Sequence, residues 1–416
     1  MSTRLLQSLS TDARLLFTTR MLRLFAYGLL SVILVLYLRE VGLSEAQAGF
    51  LLTLTLLGDT LISLWITVYA DRLGRRRMLV ISSLLIMAAG VLFSVTRNYW
   101  LLLAAATIGV ISPSGYEVGP FLAIEQASIT QIVTEKQRTP IFAWYNLVGS
   151  FATATGALMG GILVQVLQNA GMSHVASYRT IVLIYAASGV VMVLLFARLS
   201  PAIEIGLPSG NNSSPYRVRF GLHRSQKIVL KLSALFSLDA FAGGLIIQSL
   251  LAYWFHVRFG VEPALLGAIF FAANLLSGIS ALFAARLARR FGLVNTMVFT
   301  HIPSNVLLIL IPLMPNLWLA ILLLLLRFSV SQMDVPTRQS YTMAVVEPDE
   351  RSAAAGITGI ARTSGAALAP VFSGLFLTNP IFYGIPFILS GGLKIIYDIL
   401  LYFNFRAIKP PEEQPT

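Results

Sequence analysis

The chain has 416 residues, of which 56% are hydrophobic and 12% charged, and its formal net charge is +12. A soluble domain carries about 25% charged residues, so this composition argues against a soluble enzyme, a disordered chain and a nucleic-acid-binding protein. There is no cysteine, which removes disulfides, thiolate metal sites and a cysteine nucleophile, and the four histidines show no metal-ligand spacing.

Residues 1–13 are too polar for a signal peptide. Apolar stretches long enough to cross a bilayer core then follow at 14–38, 46–70, 78–96, 100–126, 140–167, 179–197, 228–255, 264–285, 293–314, 317–345, 353–377 and 383–405. The expected class is therefore an all-α membrane protein with twelve transmembrane helices. The segment 201–227 is rich in Gly, Pro, Ser and Asn and reads as a linker. It divides an N-terminal six-helix bundle (1–200) from a C-terminal one (228–408), and 409–416 is a tail. Of the 30 Lys and Arg residues, nineteen fall on the side of the termini and linker, four on the other side and seven within spans or at their edges. Positive segments stay cytoplasmic, so both termini are expected there, in a plasma (inner) membrane. The net charge then reflects topology and attraction to anionic membrane lipids rather than nucleic acid.

The two halves echo each other. Phe25-Ala26-Tyr27-Gly28-Leu29 in span 1 resembles Phe241-Ala242-Gly243-Gly244-Leu245 in span 7. Arg72-Leu73-Gly74-Arg75-Arg76 after span 2 returns as Arg286-Leu287-Ala288-Arg289-Arg290 after span 8. Span 4 carries Glu117 where span 10 carries Asp334, 217 residues on. Matches in the same order on the same span of each half indicate an internal duplication of the kind found in transporters.

This layout is similar to that of the major facilitator superfamily. The loop Asp71-Arg72-Leu73-Gly74-Arg75-Arg76 resembles that superfamily's Gly-x-x-x-Asp-Arg-x-Gly-Arg-Arg signature, with Thr67 in place of the leading glycine. The resemblance implies two pseudo-symmetric six-helix bundles and a gating role for Asp71, Arg72, Gly74, Arg75 and Arg76. Physically, Asp71 can form a charge-assisted bond with the neighbouring arginines, and Gly74 permits a tight turn. Gly156-x-x-x-Gly160-Gly161 resembles the antiporter signature without its proline. The same small residues also suit close helix packing.

Ionisable groups inside a membrane cost about 2.5 kcal/mol or more and tend to mark function. The deep ones are Arg23, Asp59, Glu117, Asp239, Arg327, Asp334, Arg338 and Arg362. The superfamily resemblance places six of them on cavity-lining helices. Arg327, Asp334 and Arg338 share one helical face by spacing. Pro113, Pro120 and Pro336 are expected to kink spans 4 and 10. Glu125 is expected near the cytoplasmic gate, and Lys394 is expected to pair with Asp398 four residues on or to snorkel. Tyr27, Tyr116, Trp144, Tyr145, Phe241, Trp254 and Tyr341 could supply contact area for an organic solute.

The expected function is secondary active transport by alternating access, without enzymatic activity. No Walker loop is present, so no nucleotide or other cofactor is expected, and the proton gradient is the energy source. The expected reaction is proton-coupled efflux of a small organic or toxic solute by a monomer. Glu117 is the expected proton carrier because its own span holds no Lys or Arg. Alternatives are proton-coupled uptake of a small anion clamped by Arg327, Arg338 and Arg362, a membrane-embedded enzyme, and a non-transporting sensor or scaffold. His256 and His301 lack catalytic company in the sequence, which weighs against the enzyme.

Overall fold

The computed structural model describes residues 10–133, 135–204, 224–347 and 350–408. Residues 1–9, the linker centre 205–223 and the tail 409–416 lie outside the described residues. The rest is helical: α1 (Thr11–Glu40), α2 (Glu45–Leu73), α3 (Arg75–Val95), α4 (Tyr99–Ile108), α5 (Phe121–Ile132), α6 (Glu135–Asn169), α7 (His174–Phe196), α8 (Gln226–Gly244), α9 (Gln248–Phe259), α10 (Pro263–Phe291), α11 (Leu293–Leu310), α12 (Leu317–Val330), α13 (Asp334–Ala344), α14 (Arg351–Leu368), α15 (Pro370–Phe376) and α16 (Ile385–Phe405). Among the described residues, ten helical stretches are long and apolar enough to cross a membrane. The expected spans 100–126 and 353–377 are not among the ten.

The first of these shows why. Residues 109–120 leave the helix altogether between α4 and α5. Pro113 and Pro120 lack the amide a helix needs, and Gly115 (φ +73°) and Gly119 (φ +83°) take left-handed backbone. A full break, not the expected kink, separates the two pieces. Span 10 is likewise split at 331–333, and span 7 at 245–247.

The chain forms two compact units. The first comprises Met1–Ser44, Leu54–Ser209 and Leu251–Phe271, and the second Glu45–Thr53, Gly210–Leu250 and Ala272–Thr416. In the first, α1 is buried on nearly every side from Leu24 to Leu38, as expected of a helix apolar all round. Ser10 caps it by accepting the Ala13 amide at 3.2 Å. Glycines let α6 approach α1 at backbone distance: a Cβ on Gly156 would strike the Phe25 carbonyl, and one on Gly28 the Thr153 carbonyl. Gly161 meets Gly267 of α10 in the same way, a Cβ there lying 2.9 Å from the Gly267 Cα.

In the second unit, Leu232, Phe236, Met297, Tyr341, Tyr397 and Leu401 form a core between α8, α11, α13 and α16. The short segment 45–53 belongs here because Gly49 sits against α15, where a Cβ would lie 2.8 Å from the Gly374 Cα. The Val371 amide donates to Thr53 Oγ1 at 3.0 Å.

Candidate functional site

Each unit buries a cluster of charged side chains. In the first, α1 presents Arg20 and Arg23 one turn apart, toward the break and α5. Arg23, fully buried, donates from Nε to Glu117 at 2.7 Å. Its two terminal nitrogens donate to both oxygens of Glu125 at 2.8 and 2.6 Å, a bidentate pair. Arg20 lies 3.0 Å from the second Glu117 oxygen. That contact is electrostatic, because its alignment does not satisfy a hydrogen bond. Thr19 and the Tyr145 hydroxyl donate to Glu125 as well. Arg20 stacks 4.2 Å over Tyr145, and Arg23 4.3 Å over Phe121.

Two expectations change here. Glu117 is not isolated from cations, because Arg20 and Arg23 reach it from α1, Arg23 from 94 residues away in sequence. Glu125, expected near the gate, is fully buried and belongs to this cluster.

Asp59 is the exception in the first unit. It sits half-buried on α2 within the electrostatic reach of Glu117 and the Gly119 backbone, and accepts a long 3.4 Å bond from Ser63. Among the described residues it has no cationic partner.

The second unit's cluster is organised around Asp239 on α8. Arg338 donates to one carboxylate oxygen at 3.0 Å and Lys394 to the other at 2.5 Å. Arg338 also pairs with Asp334 at 3.1 Å, one turn earlier on α13. Lys394 therefore does not pair with Asp398. That acid instead binds His301 at 2.9 Å and Asn305 at 3.1 Å, and the other His301 nitrogen lies 3.9 Å from Asp239. The company of His301 was not visible from its sequence neighbours. Arg327 stacks 4.9 Å from the ring of Phe328, its neighbour on α12. Arg362, on α14, forms neither an ion pair nor a donated hydrogen bond among the described residues, and its Nε is buried without a partner.

The loop between α2 and α3 is built as its motif suggests, with one addition. Gly74 has φ +100°, a conformation that favours glycine. Arg75 donates to Asp71 at 2.9 Å, while Arg72 and Arg76 are exposed. Arg75 also reaches Gln131 at 2.8 Å and the Ile203 carbonyl at 3.1 Å. The addition is Glu204, whose carboxylate accepts the Arg75 and Arg76 amides at 2.7 and 3.1 Å. It caps the positive end of α3, which has no side-chain cap of its own. In sequence, Pro201-Ala202-Ile203-Glu204 gave no sign of this partner.

Of the aromatics, Tyr27, Tyr145, Trp254 and Tyr341 are buried packing residues rather than open contact surface, while Tyr116 is exposed. A separate cavity of about 330 Å³ lies at the far end of α1, beside Arg39, Glu40, His174 and His256, and includes none of the clustered charges. No group of three or more potential metal-binding His, Asp or Glu residues occurs among the described residues.

Paired helical units, charges buried within apolar helices and a glycine-turned arginine loop together describe a membrane transporter. The family model of the Major Facilitator Superfamily matches residues 16–370 and 259–416, and the chain belongs to that superfamily. It is 32% identical to the uncharacterized membrane protein YJR124C of Saccharomyces cerevisiae over 96% of this chain and 95% of the yeast protein. A shorter stretch, 29% of this chain and 28% of the relative, is 28% identical to a Na(+), Li(+), K(+)/H(+) antiporter of Planococcus maritimus. The crystal structure of the nucleoside transporter NupG superposes with a TM-score of 0.72 at 14% identity, over 95% of this chain and 100% of that one. That likeness concerns the fold. The chain is thus a multi-pass membrane transporter of a family that moves small molecules.

Proposed function

We propose that this transporter is a proton-coupled antiporter exporting a small organic or toxic solute by alternating access, with Asp59 carrying the proton. The observation behind this reading is that Asp59 has no cationic partner among the described residues. Glu117 and Glu125 would each lose an arginine pair on taking up a proton, whereas Asp59 would lose none, so proton exchange there disturbs the least structure. Its charge still acts on Glu117, which offers a route from proton binding to the Arg23 ion pairs. The partial likeness to a cation/proton antiporter supports antiport. The Gly156–Gly160 pattern adds little, because those glycines pack α6 against α1. In this reading twelve spans place both termini in the cytoplasm, and a monomer in the plasma (inner) membrane needs no cofactor beyond the proton gradient.

Proteoliposomes holding a pH-sensitive dye, challenged with a panel of small organic solutes, test the reading. The wild type should move protons when a transported solute is added. Asp59→Asn should lose proton movement and keep downhill solute exchange. Wild-type proton movement in Asp59→Asn removes Asp59 from the role. Transport by the wild type with no proton movement removes the coupling itself.

A further inference from the structure

We propose that Arg362 is an anion seat and that the transported solute carries a carboxylate or phosphate group held there. This deepens the transporter reading, since it names the chemistry of the cargo in either direction of movement.

The starting point is charge pairing in the second unit. Arg338 is held by Asp239 and Asp334, and Lys394 by Asp239. Both carboxylates are therefore already engaged. Arg362 lies in the field of Arg338, Asp239 and Asp334, yet takes no partner from them. An ionised group inside a membrane span without a partner is expensive, and where one occurs it tends to serve a ligand or an ion path.

The packing of α14 leaves room for that ligand. Gly365 presses on α8, where a Cβ would strike the Ser237 carbonyl, and fixes how the helix is turned. On the arc beside Arg362, a Cβ at Gly356 or Gly359 would meet nothing within 4 Å, and Thr363 is exposed. At 100° per residue, Gly356, Gly359 and Thr363 share one face, with Arg362 at its edge. The arc from Arg362 to Gly356 offers lipid no large apolar side chain; Ile360, 48% exposed, borders it beside Gly356, and Leu368, 50% exposed, lies farther round. A guanidinium beside open, small-residue space presents a planar fork of donors that matches a carboxylate or phosphate. Of the three arginines expected as a clamp, Arg338 is committed to its aspartates, and Arg362 is the one beside open space.

The same chemistry could come from a soluble anion or from an anionic lipid headgroup, and the test separates them. The full chain in phosphatidylcholine nanodiscs is titrated calorimetrically with inorganic phosphate, succinate and benzoate. At least one should bind saturably to the wild type. Arg362→Gln should weaken that binding tenfold or more, and Arg362→Lys by less. Gly359→Leu, which fills the arc without changing charge, should also weaken it, and guards against a misfolded arginine variant. Melting curves without ligand should match the wild type. The proposal is overturned if none of the three probes binds, if Arg362→Gln binds like the wild type, or if only phosphatidylglycerol discs show Arg362-dependent occupancy. No proton gradient is present, so anion binding and proton movement through Asp59 can fail independently.

Discussion

The two buried clusters solve one problem with different parts. In the first unit two arginines face two glutamates, and the tightest pair, Arg23 with Glu125, is a bidentate fork closed by the Tyr145 hydroxyl. In the second unit one aspartate, Asp239, serves two cations from different helices. Beyond these pairs, and among the described residues, Asp59 in the first unit has no cationic partner and Arg362 in the second has no acidic one. Paired charges hold helices in place, whereas the unpaired ones are open to a proton or an anion. The difference also predicts where each cluster is fragile: a fork concentrates its loss on one arginine, while a hub shares it.

Arg23→Gln should have the largest effect. It strips the fully buried Glu125 of its only ion pair among the described residues, and removing one partner of a buried pair costs about 3–5 kcal/mol. A lowered melting midpoint and loss of monodisperse protein are expected; melting like the wild type would refute the fork as the anchor of the first unit. Asp239→Asn should cost less, roughly 1.5–3 kcal/mol. Arg338 keeps Asp334 at 3.1 Å, and Lys394 keeps the Asp239 backbone carbonyl at 3.3 Å. If Asp239→Asn melts lower than Arg23→Gln, the distinction between fork and hub fails.

These comparisons rest on groups that differ in how well the sequence exposed them. Arg23, Asp59, Glu117, Asp239, Asp334 and Arg338 stand out because a charge inside an apolar span is conspicuous. Their partners do not, because pairing depends on how helices far apart in the chain are turned toward one another. Hydropathy leaves that rotation open. Lys394 and Asp398 are four residues apart and invite a local pair, yet their partners lie 155 and 97 residues away. The helical class and most span limits follow from apolar run length alone. The break at 109–120 does not, since two prolines and three glycines (Gly109, Gly115, Gly119) are compatible with a kink or a full interruption until packing decides.

The same contrast extends to the carboxylate caps of α3 and α8. Glu350 in the second unit is fully buried and accepts the Arg224 and Ser225 amides, both at 2.8 Å, at the start of α8. Glu204 in the first unit does the same for α3 but is only half-buried. Glu350→Gln should therefore destabilise by about 1.5–3 kcal/mol, and Glu204→Gln by about 1 kcal/mol. Chemical denaturation of the two variants side by side checks the order, and equal losses would mean that burial does not set the strength of these caps.

The smallest effect is expected at Asp71. Its motif suggests a latch worth as much as a full charge-assisted bond, but the geometry lowers that figure. The Asp71 side chain is 54% exposed and its partner is four residues along the same chain, an arrangement worth about 0.3–0.5 kcal/mol. Arg75 would still hold Gln131 and the Ile203 carbonyl after the change. The corresponding turn of the second unit is at Gly292 (φ +84°) between α10 and α11, and the residue three places before it is Arg289, so that turn forms without an acid there. Asp71→Asn removes the charge and keeps the shape of the side chain. It should shift the balance of conformations by about twofold, the equivalent of that energy, with folding unchanged. Single cysteines introduced at the helix ends can report this cleanly in a chain that has none: labelling rates from the two sides should change about twofold. A tenfold change would restore Asp71, rather than the Glu204 cap, as the main hold on the loop.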